Sequence, residues 1–133
     1  RKIVDDSYDV WEAAFEPGDQ QIIFTAAPHG QPVLYSLNLA SGGIAPMPII
    51  GPARYPAFSP DGKWLAYSRS ERGNWHLYIT CLMSSVSRRL TSGECNSISP
   101  VWEADSKSLI YATDARRGLN MTALARMTVT PDP

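Results

Sequence analysis

The chain has 133 residues, with 12 Lys and Arg against 13 Asp and Glu, so its formal net charge is -1. A near-neutral chain lacks the electrostatic footprint of nucleic-acid binding, and no apolar run approaches the roughly 20 residues that cross a bilayer, so neither nucleic acid nor membrane insertion is expected. Hydrophobic residues make up 44%, enough for one ordinary core, and 11 Pro and 9 Gly interrupt the apolar stretches so often that many short strands are expected and long helices are not.

In chain order, the first predicted element is a short strand, Arg1-Lys2-Ile3-Val4, within a leading segment of residues 1–9 that also carries Asp5, Asp6 and Asp9. The opening Arg1-Lys2-Ile3 has neither an initiator Met nor a signal peptide, which reads as a processed piece of something longer. Residues 10–52 begin with a hairpin: one strand ends at Phe15, a turn follows at Glu16-Pro17-Gly18-Asp19, and a second strand runs through Phe24. A third strand is predicted at Leu34–Leu39, and Ala45-Pro46-Met47-Pro48 is a weak, Pro-broken stretch suited only to a sheet edge.

Residues 53–96 repeat this pattern in clearer form. Tyr55-Pro56-Ala57-Phe58-Ser59-Pro60-Asp61-Gly62-Lys63-Trp64-Leu65-Ala66-Tyr67-Ser68 aligns with Glu12–Thr25, and Leu77–Leu82 aligns with Leu34–Leu39. In the turn Ser59-Pro60-Asp61-Gly62, Pro presets its φ and Gly accepts a positive one. A fourth strand follows at Arg88-Arg89-Leu90-Thr91. Residues 97–133 give a third copy, with Ser99–Ala112 for the hairpin and Met121–Met127 for the third strand. Phe15, Phe58 and Trp102 keep one aromatic register, and Phe24, Tyr67 and Tyr111 keep another; these six are the expected core.

Four strands in about 43 residues have the size of one β-propeller blade, and blades stack radially to bury faces that a lone four-stranded sheet would expose. With strands lettered a to d, the chain reads d-abcd-abcd-abc: an all-β chain of three blades of antiparallel strands, in a single domain of residues 1–133. The competing fold is one β-sandwich whose strands happen to look alike.

The run Tyr55–Ser68, with Leu77-Tyr78-Ile79 and Arg88-Arg89-Leu90-Thr91, resembles the WD-like repeat of bacterial TolB-type β-propellers, and through it the flanking copies become recognisable over nearly the whole chain. The resemblance implies a periplasmic or otherwise extracytoplasmic place, a protein or peptide partner, and a propeller that has six blades in TolB itself. It implies no reaction, since related repeats also occur in the gating propellers of some serine peptidases and in sensory parts of bacterial regulators. Three blades are fewer than the four to eight that close a ring. Two copies could therefore form a six-bladed homodimer, with Arg1–Val4 supplying the outer strand that the partner's last blade lacks.

Residues suited to catalysis are sparse. GxSxG, Walker, HExxH, SxxK and EF-hand patterns are all missing from the sequence, and His29 and His76 have no third ligand at metal spacing, so no enzyme, cofactor or metal is expected. Each histidine reads as a polar loop or strand-edge residue. Asp61 and Asp105 sit in equivalent turns, where aspartates bond local amides. Cys81 and Cys95 lack CxxC spacing and point to neither a disulfide framework nor a zinc site.

In a propeller the b-to-c and d-to-a loops emerge on one face, opposite the a-to-b turns. That face receives Arg69, Glu71, Arg72, Asn74 and Trp75 from the second blade and Asp114, Arg116, Arg117 and Asn120 from the third. Partly basic and bearing an aromatic, it could hold an acidic peptide or a polar partner, although scattered solvated charge explains the same residues. The expected function is non-catalytic protein interaction or assembly. The alternatives are an accessory or gating propeller of a larger peptidase or hydrolase, and a sensor domain of a regulator.

Overall fold

A computed structural model of the chain describes residues 1–115 and 122–129. The first sheet has the order β1 (Val10–Phe15), β2 (Gln21–Ala26), β3 (Val33–Asn38), β4 (Ile44–Pro46), and the second repeats it as β5 (Ala53–Phe58), β6 (Trp64–Glu71), β7 (Asn74–Cys81), β8 (Ser87–Arg89). The third has β9 (Ser97–Trp102), β10 (Ser108–Thr113) and β11 (Ala123–Thr128), ordered β11-β10-β9. Every pairing is antiparallel between strands consecutive in the chain, which is the meander of a propeller blade.

The a-to-b turns form the same way from different residues. The left-handed position falls on Gly62 at φ 72°, and on Asp19 at 53° and Ser106 at 58° in the other blades. In each turn that residue's N–H donates to the carbonyl three residues back, at 2.9 Å for Asp19, 2.9 Å for Gly62 and 3.1 Å for Ser106. Gly18 therefore does not supply the turn conformation in blade 1; Asp19 does, and a short polar side chain tolerates it. Ser59 adds a local clamp, its hydroxyl donating to Asp61 at 2.6 Å and accepting from the Trp64 N–H at 3.0 Å.

Two apolar seams join the blades. Ile23 and Leu34 of blade 1 meet Leu65, Tyr67 and Tyr78 of blade 2, with Phe58 packed against them. Ala66 and Ile79, which point the other way from blade 2, meet Trp102, Leu109 and Val129 of blade 3. The alternation along β6 explains both seams, because successive side chains of a strand address opposite faces. The Trp102 indole N–H also donates to the Ala57 carbonyl across the second seam, at 3.0 Å.

The expected core is corrected at Phe15 and graded at Phe58 and Tyr111. Phe24, Tyr67 and Trp102 are buried, but Phe15 is 63% exposed, and Phe58 and Tyr111 are only half-buried. The first aromatic of each repeat packs on the preceding blade, and for Phe15 no described blade occupies that side.

Residues 1–5, expected to hold a strand, form none; Asp6–Tyr8 is a 3-10 turn capped by Asp5, whose carboxylate accepts from the Ser7 N–H at 2.8 Å. Val4 and Tyr8 instead lie against Ile22, Phe24, Ala26 and Leu37 on the outer face of blade 1. Burying these apolar side chains on the nearest open sheet face is favourable within a single chain. The β11 edge that Arg1–Val4 was expected to join belongs to the blade at the other end of the arc.

Candidate functional site

The site begins with the β6–β7 hairpin. Glu71 pairs with Asn74, leaving the two-residue turn Arg72-Gly73, and both turn residues have positive φ, 51° and 85°. That is the type I′ geometry whose twist matches the flanking strands, and it holds the loop rigidly. The same register sets Arg69 opposite His76 and Tyr67 opposite Tyr78. Residues two apart share a sheet face, so Tyr67, Arg69 and Glu71 line up on the blade 1 side of the sheet with His76, Tyr78 and, from β8, Arg89.

An open pocket of about 830 Å³ lies there, lined by Arg69, Ser70, Glu71, Arg72, Asn74, His76, Arg89, Gly93 and Glu94. The Tyr67 and Tyr78 rings stack at 5.8 Å, and the Arg69 guanidinium sits 5.2 Å over Tyr78. Glu71 organises the floor. It accepts from the Tyr78 hydroxyl and from Arg89 at 3.0 Å, and it forms an ion pair with Arg69 at 3.4 Å. The Tyr78 hydroxyl, then Arg89 and Arg69, hold its carboxyl below the ordinary value despite partial burial. His76, expected in a loop or at a strand edge, is instead buried within β7. Burial first, and Arg89 second, push its imidazole below the usual 6.5, against the pull of Glu71.

A second pocket, about 420 Å³, opens on the other side of the hairpin, toward blade 3, between Trp75, Tyr55, Ile98, Asn96, Asp114 and Thr122. Asn96 is its keystone: its side-chain oxygen accepts from the Trp75 N–H at 2.9 Å, while its own N–H and amide group donate to Asp114 at 2.6 and 2.9 Å. These bonds lower the Asp114 carboxyl, the Asn96 side chain first.

Of the expected loop residues, Arg69 and Arg72 thus share one pocket while Trp75 and Asp114 share its neighbour. Arg116, Arg117 and Asn120 lie outside the described residues, and His29 is exposed in the β2–β3 loop. Asp61 and Asp105 bond their own turns, Asp61 with the Lys63 N–H at 3.0 Å and Asp105 with the Lys107 N–H at 2.8 Å. Cys81 and Cys95 are free thiols. Among the described residues no cluster of three His, Cys, Asp or Glu could hold a metal ion, and no helix is long and apolar enough to cross a membrane.

Sequence reasoning missed Arg89, His76 and Glu94 as pocket residues. It also missed a bracket on the inner strands, where the Arg54 guanidinium lies between the Trp11 and Tyr55 rings at 4.6 and 4.4 Å and pairs with Glu12. Glu12 accepts as well from the Tyr55 N–H at 3.4 Å, and Tyr55 itself stands at a left-handed φ of 59° beside a bulge. Once the Arg72-Gly73 turn is recognised, the hairpin register alone would have placed His76 beside Arg69.

No protein-family model matches the chain. It is 28% identical over 89 residues to the Tol-Pal system protein TolB of Anaeromyxobacter dehalogenans, an alignment covering 67% of this chain and 20% of that protein. In structure it is similar to TolB from Acinetobacter baumannii, with a TM-score of 0.75 and 20% identity over 97% of this chain and 32% of that one. It also resembles the β-propeller domain of the trilobed protease from Pyrococcus furiosus, with a TM-score of 0.65 and 16% identity over 91% of this chain and 39% of that one. The chain therefore spans about one fifth of the length of the curated relative it matches. Its two four-stranded sheets, the three-stranded sheet that follows them and the stacked seams between them make it a β-propeller chain of three blades. Its repeats are TolB-like, as the curated relative and the TolB structure agree.

Proposed function

We propose that the chain is a non-catalytic protein-interaction module that presents the β6–β7 hairpin and the loops around it to a protein or peptide partner. The observation that carries this reading is the pair of pockets flanking one rigid two-residue turn, with guanidinium groups on one side and Trp75 on the other. Charged groups held in place before binding lose less freedom on association, so affinity follows from placement more than from area. An extracytoplasmic, periplasmic place accompanies the TolB likeness.

A photo-crosslinking residue at Trp75, compared with one at Lys63 in the opposite a-to-b turn, tests this in the source cell. A discrete protein is captured from Trp75 and not from Lys63, and it binds the purified chain. Equal capture of one background set from both positions would overturn the reading.

The likeness to the trilobed protease propeller favours a second reading, an accessory or gating propeller of a larger peptidase. A GxSxG-bearing α/β domain in the same polypeptide would decide for it. The homodimer belongs to the first reading: Phe15 on blade 1 and Val101 and Leu124 on blade 3 are exposed apolar side chains that a second three-blade copy could cover.

A further inference from the structure

The blade 2 pocket has more donors than it uses. Arg69 makes one ion-pair contact, to Glu71, and its Nε is buried without a partner; Arg72 makes no ion pair among the described residues. Arg89 engages Glu71 through one nitrogen, Nη1, at 3.0 Å. Each guanidinium carries five N–H donors in a planar fork, so most of this capacity is unspent. Three guanidinium groups face two carboxylates, Glu71 and Glu94, with His76 kept neutral by burial, which leaves the pocket one net positive charge. A single monoanion balances that charge. A dianionic phosphate would overshoot it beside two carboxylates.

We propose that this pocket receives one carboxylate side chain, Asp or Glu, of a bound peptide, held by Arg72 with the free donors of Arg69 and Arg89. This rests on the interaction-module reading and names the chemistry of the partner. Glu71 has a positioning role: it pairs with Arg69 and Arg89 at the pocket wall and leaves Arg72, at the turn, without an ion pair among the described residues. The ring of Tyr78, 5.2 Å from the Arg69 guanidinium, adds a cation–π contact that helps hold that group at the pocket wall.

The test is a two-dimensional NMR titration of the purified chain with acetyl-Gly-Gly-Glu-Gly-Gly-amide, its Gln counterpart, its phosphoserine counterpart and inorganic phosphate. The Glu peptide shifts the amides of residues 69–74 and of Glu94 and binds at least about tenfold more tightly than the Gln peptide. Arg72→Asn removes that preference at least tenfold while the fold persists, because Asn-Gly suits a type I′ turn better than Arg-Gly does. Equal binding of the Glu and Gln peptides, shifts confined to Trp75, Asn96 and Asp114, no shift with either peptide, or tighter binding of phosphate or phosphoserine would each overturn the proposal. Crosslinking from Trp75 separates the two readings. If it still captures a partner when the peptide fails, only the carboxylate assignment falls; if it captures none, the interaction module falls too.

Discussion

Trp102 and Phe15 hold the same place in their repeats, yet only Trp102 has a described blade in front of it, so the pair isolates what blade stacking contributes. Trp102 is 9% exposed, packs with Ala66, Ile79 and Leu109, and donates its indole N–H to Ala57. Removing a large aromatic from such a seam costs about 3–5 kcal/mol, and losing the indole hydrogen bond to Ala57 as well pushes the value to the upper part of that range. Trp102→Phe keeps most of the packing and loses the hydrogen bond, costing about 1–2 kcal/mol. Phe15→Ala changes stability by no more than about 0.5 kcal/mol in this chain, since the side chain is already largely in water.

Urea denaturation followed by circular dichroism measures all three. With a slope near 2 kcal/mol/M, Trp102→Ala moves the midpoint down by about 2 M, and Phe15→Ala leaves it in place. Equal losses at Trp102 and Phe15 would refute the stacking, because the two residues would then be packing within their own sheets.

His76 gives the pH signature. Its folded-state value is lowered by burial, so stability is full above about pH 6.5, where the unfolded imidazole is neutral as well, and falls as pH drops below that toward the folded value. Denaturation midpoints across pH 7 to 5 show this slope, and His76→Gln flattens it; an unchanged slope would place the titration elsewhere. Arg54→Ala opens the bracket between Trp11, Tyr55 and Glu12 and costs about 1–3 kcal/mol, measured by the same denaturation, whereas Arg54→Lys recovers only part of it because an ammonium cannot fork onto Glu12. Sedimentation across a dilution series tests the six-bladed dimer: the chain gives twice the monomer mass, and Leu124→Lys on the exposed face of blade 3 returns it to the monomer mass, while a monomer in both refutes closure through the outer blade faces.

Much of the fold was legible because the repeat carries its own turn chemistry. The aligned aromatics and the Ser59–Gly62 turn placed the hairpins, and even the degraded turns at Asp19 and Ser106 adopted the same left-handed position. Burial was less legible. A repeat position says which way a side chain points, and whether anything stands there depends on the neighbouring blade, so Phe15, Phe58 and Trp102 read alike and differ in exposure. The strand expected at Arg1–Val4 failed for a related reason: its apolar residues found the outer face of blade 1 instead. For the site, loop position alone grouped Arg69 and Arg72 with Trp75, whereas strand alternation sends Arg69 and Trp75 to opposite sides of the hairpin. Arg89 and His76 became visible only through cross-strand register, and Arg54 only through the contact between inner strands of successive blades.

Seams, pockets and hairpin all depend on blades stacking in chain order, so the most direct measurement is a set of nuclear Overhauser contacts in the isolated chain. The stacking predicts contacts from the Trp102 indole to Ala57, Ala66 and Ile79 across the second seam, and from Phe58 to Ile23 and Leu34 across the first, with none from Phe15 to another blade. Contacts from Trp102 and Phe58 confined to their own sheets would contradict it.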